Sequence, residues 1–233
     1  MSKLFVTADT HFGHSSIIKY CNRPFLTDAD KKALEASGGI WHRGLWKGPG
    51  SSDWKITPEA TEMMDNTLIE NINKMVGKDD ILWHLGDFAF GPKKTYHDVC
   101  KKYRERINCN NVYLIWGNHD RREIADLFTN TYDLYELQHQ CQRITLCHYA
   151  MAVWNKSHRG AWHLYGHSHS TIEPWIKEHM PNRRSFDVGV DNVAKLVGEY
   201  RPLLFDEIKE MMSKRNGYLI DHHGKEEVCG DGY

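Results

Sequence analysis

Five polar clusters in the sequence of 233 residues carry groups able to do chemistry: Asp9-Thr10-His11, Gly86-Asp87, Gly117-Asn118-His119-Asp120, His148 and Gly166-His167-Ser168-His169. They supply carboxylate oxygen, imidazole nitrogen and one amide oxygen, a hard-to-borderline donor set suited to Mn²⁺, Fe²⁺ or Zn²⁺ and free of sulfur. On an extended segment, residues i and i+2 point the same way, so Asp9 and His11 can reach one ion. The same holds for His167 and His169, unless a turn there aims them at different ions. Seven ligands, Asp9, His11, Asp87, Asn118, His148, His167 and His169, are too many for one tetrahedral ion. They suit two ions sharing a carboxylate, and metal pairs about 3.5–4 Å apart recur in phosphoryl chemistry. Any one cluster has an ordinary explanation, Gly-Asn-His-Asp for instance as an Asx-capped turn. The ordered set does not.

Each cluster follows a short apolar run. Leu4-Phe5-Val6, Ile81-Leu82-Trp83, Val112 to Trp116, Ile144 to Cys147 and Trp162 to Tyr165 read as buried strands, and Phe186 to Asp191 as a further one. Between them, Thr57 offers an N-cap with Pro58 and Glu59 behind it, and Met64, Leu68, Ile72 and Met75 repeat at helical spacing until Gly77 closes the helix. Ile124, Leu127 and Phe128 suit a short helix, and Asp206 is placed to cap one carrying Ile208, Met211 and Met212. Strands alternating with helices predict an α/β protein, whose site lies at the carboxyl ends of its strands.

Composition bounds the rest. With 30 basic against 31 acidic residues, bulk charge excludes broad electrostatic capture of nucleic acid but leaves a local basic patch open. No apolar run approaches the roughly 20 residues that cross a bilayer, and no membrane partner is expected. The six cysteines form no CxxC pair, which predicts reduced thiols in a cytoplasmic protein and no cysteine ligand. The length fits one domain over 1–233. Residues 27–60 break the strand–helix rhythm with a Gly-rich, Trp-containing stretch, predicted to be an ordered lid or rim. The stretch after Met212 reads as a peripheral hairpin or a loose tail.

The ordered set from Asp9 to Asp191 resembles the calcineurin-like metallophosphoesterase family. Asp9-Thr10-His11-Phe12-Gly13-His14 and Gly86-Asp87-Phe88-Ala89-Phe90-Gly91 look like a small bacterial and phage subgroup of it. The resemblance implies a four-layer α/β/β/α sandwich of two mixed sheets with flanking helices. It implies one metal on Asp9, His11, Asp87 and His169, and another on Asp87, Asn118, His148 and His167, with Asp87 as the bridge. His119 becomes the non-ligand histidine at the leaving group, oriented by Asp120. The expected cofactors are two divalent ions, Mn before Fe, Zn, Ni or Mg. The expected nucleophile is a hydroxide bridging them, attacking a phosphoester in line.

Further candidates lie around this set. His14 either reaches substrate phosphate or makes a helix-start hydrogen bond. His84 reads as a core residue or a support behind the ligands. Arg121 and Arg122 either touch a phosphate oxygen or sit at a solvated helix start. Trp41, His42, Arg43, Trp46, Lys47, Trp54 and Lys55 interleave aromatics with cations. That pattern suits bases and backbone phosphates, or else a packed insertion with a solvated edge. The first alternative favours a phosphodiester, with a nucleotide or nucleic acid as partner. The rivals are a phosphomonoesterase or nucleotide pyrophosphatase, and, outside the enzymes, a nucleic-acid-binding module stabilised by metal. A nucleophile elbow fails at Ser170, where glycine is required, and no P-loop is present.

Overall fold

The computed structural model describes residues 2–37, 55–215 and 217, together with two backbone strands at 40–42 and 45–47. In chain order come β1 (Leu4–Thr7), α1 (Ser15–Tyr20), α2 (Asp28–Ala36), β2 (Ile40–His42), β3 (Leu45–Lys47), α3 (Pro58–Met75), β4 (Ile81–His84), α4 (Tyr96–Arg104) and β5 (Asn111–Ile115). They continue with β6 (Asn130–Tyr132), β7 (Leu134–His139), β8 (Gln142–Cys147), β9 (Trp162–Tyr165), α5 (Glu173–His179), β10 (Ser185–Asp187), α6 (Val190–Val197), β11 (Leu203–Leu204) and α7 (Phe205–Ser213). Two mixed sheets result, ordered β11-β1-β4-β5-β6 and β10-β9-β8-β7, with β2 and β3 forming a separate hairpin. In the first sheet only β11 runs antiparallel, and in the second only β7 does.

Alternation along the strands explains the layering. Phe5, Leu82, Val112 and Leu114 turn to one side of the first sheet and pack with Met64, Leu68 and Ile72 of α3 and Tyr103 of α4. Leu4, Val6, Trp83 and Ile115 turn to the other side, against Ile144, Leu146, Trp162, Leu164 and Phe186 of the second sheet. The inter-sheet core also takes Val193 of α6 and Phe205, Ile208 and Met212 of α7. These strands are buried on both faces, so they read as continuous apolar runs rather than alternating ones. Flanking helices and two mixed sheets agree with the sandwich expected from the sequence. The outer face of the second sheet, with buried Thr145, His163 and Tyr165, is covered partly by the irregular segment around Trp154, whose indole N–H donates to Ala161 O at 2.9 Å.

Several local expectations change. The Thr57 side chain does cap α3, accepting from Ala60 N–H. The helix ends earlier than expected, at Val76 in an extended conformation, with no left-handed glycine closing it. Ile124 to Leu127 form a 3-10 turn, and α7 starts at Phe205, so Asp206 lies inside the helix and does not cap it. The run from Phe186 stops as a strand at Asp187, because Gly189 opens α6. In the 27–60 stretch lie α2 and the backbone of the β2–β3 hairpin, with β3 beside α1. Arg43 and Trp54, the side chains of Trp41, His42, Trp46 and Lys47, and the stretch after 217 lie outside the described residues. No helix among the described residues is long and apolar enough to cross a membrane.

Candidate metal centre

The clusters converge because β1, β4 and β5 run parallel and side by side, so their carboxyl ends lie along one sheet edge. Past the strands, the loops stay strapped together: Asp9 N–H donates to Gly86 O, His11 N–H to Asp87 O and Phe12 N–H to Phe88 O, each at 3.0 Å. The second sheet brings His148 from the end of β8, and His167 and His169 from the turn after β9.

Two groups of possible ligand atoms form, each within 4.8 Å: Asp9 with His11 and His169, and Asp87 with His148 and His167. Between them stands the Asp87 carboxylate, whose Oδ2 is 3.5 Å from Nε2 of His11 and 3.5 Å from Nε2 of His148. Asn118 Oδ1 lies 3.1 Å from His148 Nε2 and 2.8 Å from His167 Nδ1. Leu85 O can only accept, so the 2.7 Å contact from His148 Nδ1 fixes the proton there and leaves Nε2 as the lone-pair nitrogen. Both ring nitrogens of His11 are buried without a hydrogen-bond partner. Such orphaned donors carry a desolvation cost unless something else binds them. Burial depresses the basicity of His11, His148 and His167, which favours the neutral, ligating form of imidazole. These residues fit a pair of divalent ions.

The reason that Asp9 and His11 face one point differs from the sequence expectation. Neither is extended: φ is 57° at Asp9 and 50° at His11. Asp87, His167 and His169 are left-handed as well, at 56°, 67° and 46°. Non-glycine residues in this region are uncommon, and clusters of them mark functional sites. The turn at Gly166–Ser170 separates its two histidines as the alternative reading foresaw, His167 towards Asp87 and His148, His169 towards Asp9 and His11. Glycines make the room. A Cβ on Gly117 would stand 2.2 Å from Asp87 Oδ1, and one on Gly86, at φ +95°, would stand 2.6 Å from His148 Nδ1.

His119 is exposed, its ring centroid 5.4 Å from that of His11, and its backbone N–H donates to Asp87 Oδ1 at 2.9 Å. Asp120 does not orient that ring through a hydrogen bond. Its carboxylate accepts from the N–H groups of Asp87 (2.8 Å), Gly117 (2.9 Å) and Phe88 (3.0 Å), and from Tyr96 Oη (3.4 Å). It is a staple between the Asp87 and Asn118 loops, because three backbone donors satisfy it before any imidazole can. The His14 side chain makes no cap hydrogen bond; its ring lies on Phe90 at 4.1 Å, 5.4 Å from His11, and burial lowers its pKa to about 4. Buried His84 meets Thr10 Oγ1 at 2.9 Å, and that hydroxyl donates to Phe88 O at 2.7 Å, so it braces the loop from behind. Arg121 lies over the Tyr96 ring, while Arg122 pairs with Asp133.

Three residues behind the site escaped the sequence reading. Arg23 is fully buried, donating from Nε and Nη2 to Asp191 at 2.9 and 2.8 Å, and to the carbonyls of Asp9 (2.7 Å) and Thr10 (3.0 Å). Asp191 also accepts from Nδ1 of His169 at 2.7 Å, leaving Nε2 as that ring's remaining ligand atom. Burial opposes charge on His169, but the hydrogen bonds to Asp191 and Cys21 and the Asp9 carboxylate together outweigh it and carry the pKa up to about 11. The Cys21 thiol stands with His169 and Asp191 in a third group of possible ligands, although cysteine spacing gave no hint of it. Asn22-Arg23-Pro24 carries no local signal; Asp191 sat unread inside the Phe186 to Asp191 run.

The calcineurin-like phosphoesterase family model matches residues 2–205. An uncharacterised protein of Methanocaldococcus jannaschii is 28% identical over 219 residues, covering 92% of this chain and 93% of its own length. The gene 66 protein of Mycobacterium phage D29 is 25% identical over 240 residues, covering 91% and 97%. A crystal structure of a protein of unknown function from Aquifex aeolicus matches the fold with a TM-score of 0.56 at 18% identity, over 91% of this chain and all of that one. With the family model spanning both ligand groups, the chain belongs to the calcineurin-like phosphoesterases and is a metal-dependent phosphoester hydrolase.

Proposed function

We propose that the chain hydrolyses phosphodiesters with two divalent cations, Mn²⁺ before Fe²⁺, Zn²⁺, Ni²⁺ or Mg²⁺. Asp9, His11, Asp87 and His169 would hold one, and Asp87, Asn118, His148 and His167 the other. The observation that carries this is the Asp87 carboxylate, 3.5 Å from a ring nitrogen on either side. Bound there, the cations supply Lewis acidity, activating water near neutral pH and offsetting charge on the phosphoryl oxygens.

The protein's own groups do the rest. His119, held at its backbone by Asp87 Oδ1, presents an exposed ring beside His11 and His14. It donates a proton to the departing alkoxide as the P–O ester bond breaks and water's oxygen joins phosphorus. General acids contribute about 10²–10⁴-fold. Asp120 keeps the Asp87 and Asn118 loops in register. His14 and Arg121 stand at the rim as phosphate contacts, with His42 and Arg43 assigned there on sequence grounds. We read the chain as one domain carrying the 27–60 segment as an insertion. A cytoplasmic setting is supported by the unpaired thiols of Cys21, Cys100, Cys109, Cys141 and Cys147.

The test is turnover of bis-p-nitrophenyl phosphate against p-nitrophenyl phosphate across Mn²⁺, Ni²⁺, Mg²⁺, Zn²⁺ and Fe²⁺. We expect preference for the diester, and a loss of about 10²-fold or more in His119→Ala and Asp87→Asn with unchanged circular dichroism. Cleavage of the monoester alone would remove the diester assignment. Full activity in both variants would remove the mechanism.

A further inference from the structure

Among the described residues, the exposed large apolar side chains include four aromatics: Tyr20, Phe90, Tyr149 and Trp175. Trp175 stacks on His179 within α5. The other three stand beside histidines of the candidate site. Phe90 is 43% exposed, its ring 4.1 Å from His14 in a stacked pair and 5.8 Å from His119. Tyr149 is 48% exposed, 4.7 Å from His167 and 5.0 Å from His148. Tyr20 lies 6.3 Å from His14.

Scattered exposed apolar residues need no explanation. Phe90 and Tyr149 are not scattered. A continuous row links them: Phe90 to His119, His119 to His11 at 5.4 Å, His11 through Asp87 to His148 at 3.5 Å each way, and His148 to Tyr149. One exposed ring thus stands at each end of the proposed ligand row. Both are anchored nearby: Phe90 N–H donates to Phe12 O at 2.8 Å, and two residues beyond Tyr149, Met151 N–H donates to buried His163 at 3.1 Å. A ring held in water at a fixed place offers one flat face, which matches a planar partner better than a flexible chain.

We infer that the substrate is a phosphodiester whose two ester arms carry flat heteroaromatic rings, as in a dinucleotide or the end of a single nucleic-acid strand. This rests on the phosphodiesterase reading above. A diester lying over the ligand row extends one arm towards each end, whereas a monoester has one arm only. Phe90 stacks the ring of the leaving arm, on the His119 side. Tyr149 stacks the ring of the retained arm. The inference draws on neither the 27–60 segment nor bulk charge, since the net charge is −1.

Isothermal titration of the purified protein with a dithymidine phosphorothioate, against dimethyl phosphorothioate, tests it without turnover. We expect the dinucleoside to bind about tenfold tighter or better, Phe90→Ala and Tyr149→Ala each to lose about tenfold, and Tyr149→Phe to keep the affinity. Equal affinity for the two ligands, or full affinity in both alanine variants, overturns the inference. A parallel assay compares thymidine 5′-(p-nitrophenyl phosphate) with methyl p-nitrophenyl phosphate, which share a leaving group. Preference for the nucleoside ester that falls in Tyr149→Ala supports the retained-arm assignment, and equal KM values count against it. If neither diester turns over with any metal, the phosphodiesterase reading fails by itself, and the titration still decides whether the two rings bind bases.

Discussion

Arg23 reaches no substrate-facing surface, yet it holds the ligand set in shape. Its guanidinium meets both Asp191 oxygens and the carbonyls of Thr10 and of Asp9, the latter left-handed at φ 57°. Replacing it with Met preserves bulk but leaves a buried carboxylate without its cation. Breaking such a pair from one side costs about 3–5 kcal/mol. Arg23→Met should therefore lower the urea midpoint sharply, and Asp191→Asn, which leaves the buried guanidinium without its counter-charge, should lower it as well. Both should weaken Mn²⁺ binding by about 10–100-fold in a titration, because Asp191→Asn weakens the anchor of His169 and Arg23→Met leaves that anchor without its own support. Equal stability of Arg23→Met and the parent would contradict this role. The candidate ligands were legible as chemistry-bearing residues, since each sits where an apolar run meets a polar cluster. Arg23 was not, because its partners lie 14 and 168 residues away and nothing local marks the pairing. The geometry of Asp9 and His11 was misread for a related reason: periodicity assigns an extended backbone, whereas close approach to the neighbouring loop sets the left-handed turn.

Among the elements, α2 and α3 share a start signal. Asp30 accepts from Thr27 N–H and Oγ1 and from Thr57 N–H and Oγ1, at 3.0, 2.6, 2.9 and 2.8 Å. One carboxylate thus joins the caps of two helices that are 21 residues apart along the chain, from Ala36 to Pro58 less the ends. Burial raises the Asp30 pKa, but these hydrogen bonds outweigh it and hold the group below its ordinary value. A carboxylate depressed on folding stabilises above its unfolded pKa, near 3.9, and that stability is lost as pH falls through the folded value. Asp30→Asn should flatten the acid limb of a stability-versus-pH curve below about pH 4, with little change in slope above it. An unchanged acid limb would show that the shared cap contributes nothing. Thr57→Ala should cost about 1 kcal/mol. The Thr57-Pro58-Glu59 signal was plain in the sequence; its tie to Thr27 was not, since a cap motif specifies its own helix and not the neighbour it leans on.

At the scale of the molecule, the two sheets meet through an apolar core and through the proposed ligand set. Asp9, His11, Asp87 and Asn118 follow strands of the first sheet; His148, His167 and His169 follow strands of the second. Protein contacts already span the gap: His167 N–H donates to Asp9 Oδ2 at 2.9 Å, and His148 Nδ1 to Leu85 O at 2.7 Å. Cations held by both sets would fasten the same seam, and would do so only in the folded chain. A ligand that binds the native state alone stabilises it by about 2.7 kcal/mol at 100 times its Kd. Stripping metal with a chelator should therefore lower Tm, and returning Mn²⁺ should restore it in proportion to the logarithm of its concentration. Hydrogen exchange locates the effect. Protection should fall first in the loops after β1, β4, β8 and β9, while α3, buried in the other core through Met64, Leu68 and Ile72, keeps its slow amides. Loss of protection spread evenly over α3 and the seam would mean that metal acts on global stability without bridging the sheets. Insensitivity of Tm to both chelator and Mn²⁺ would remove the two-sheet clasp altogether.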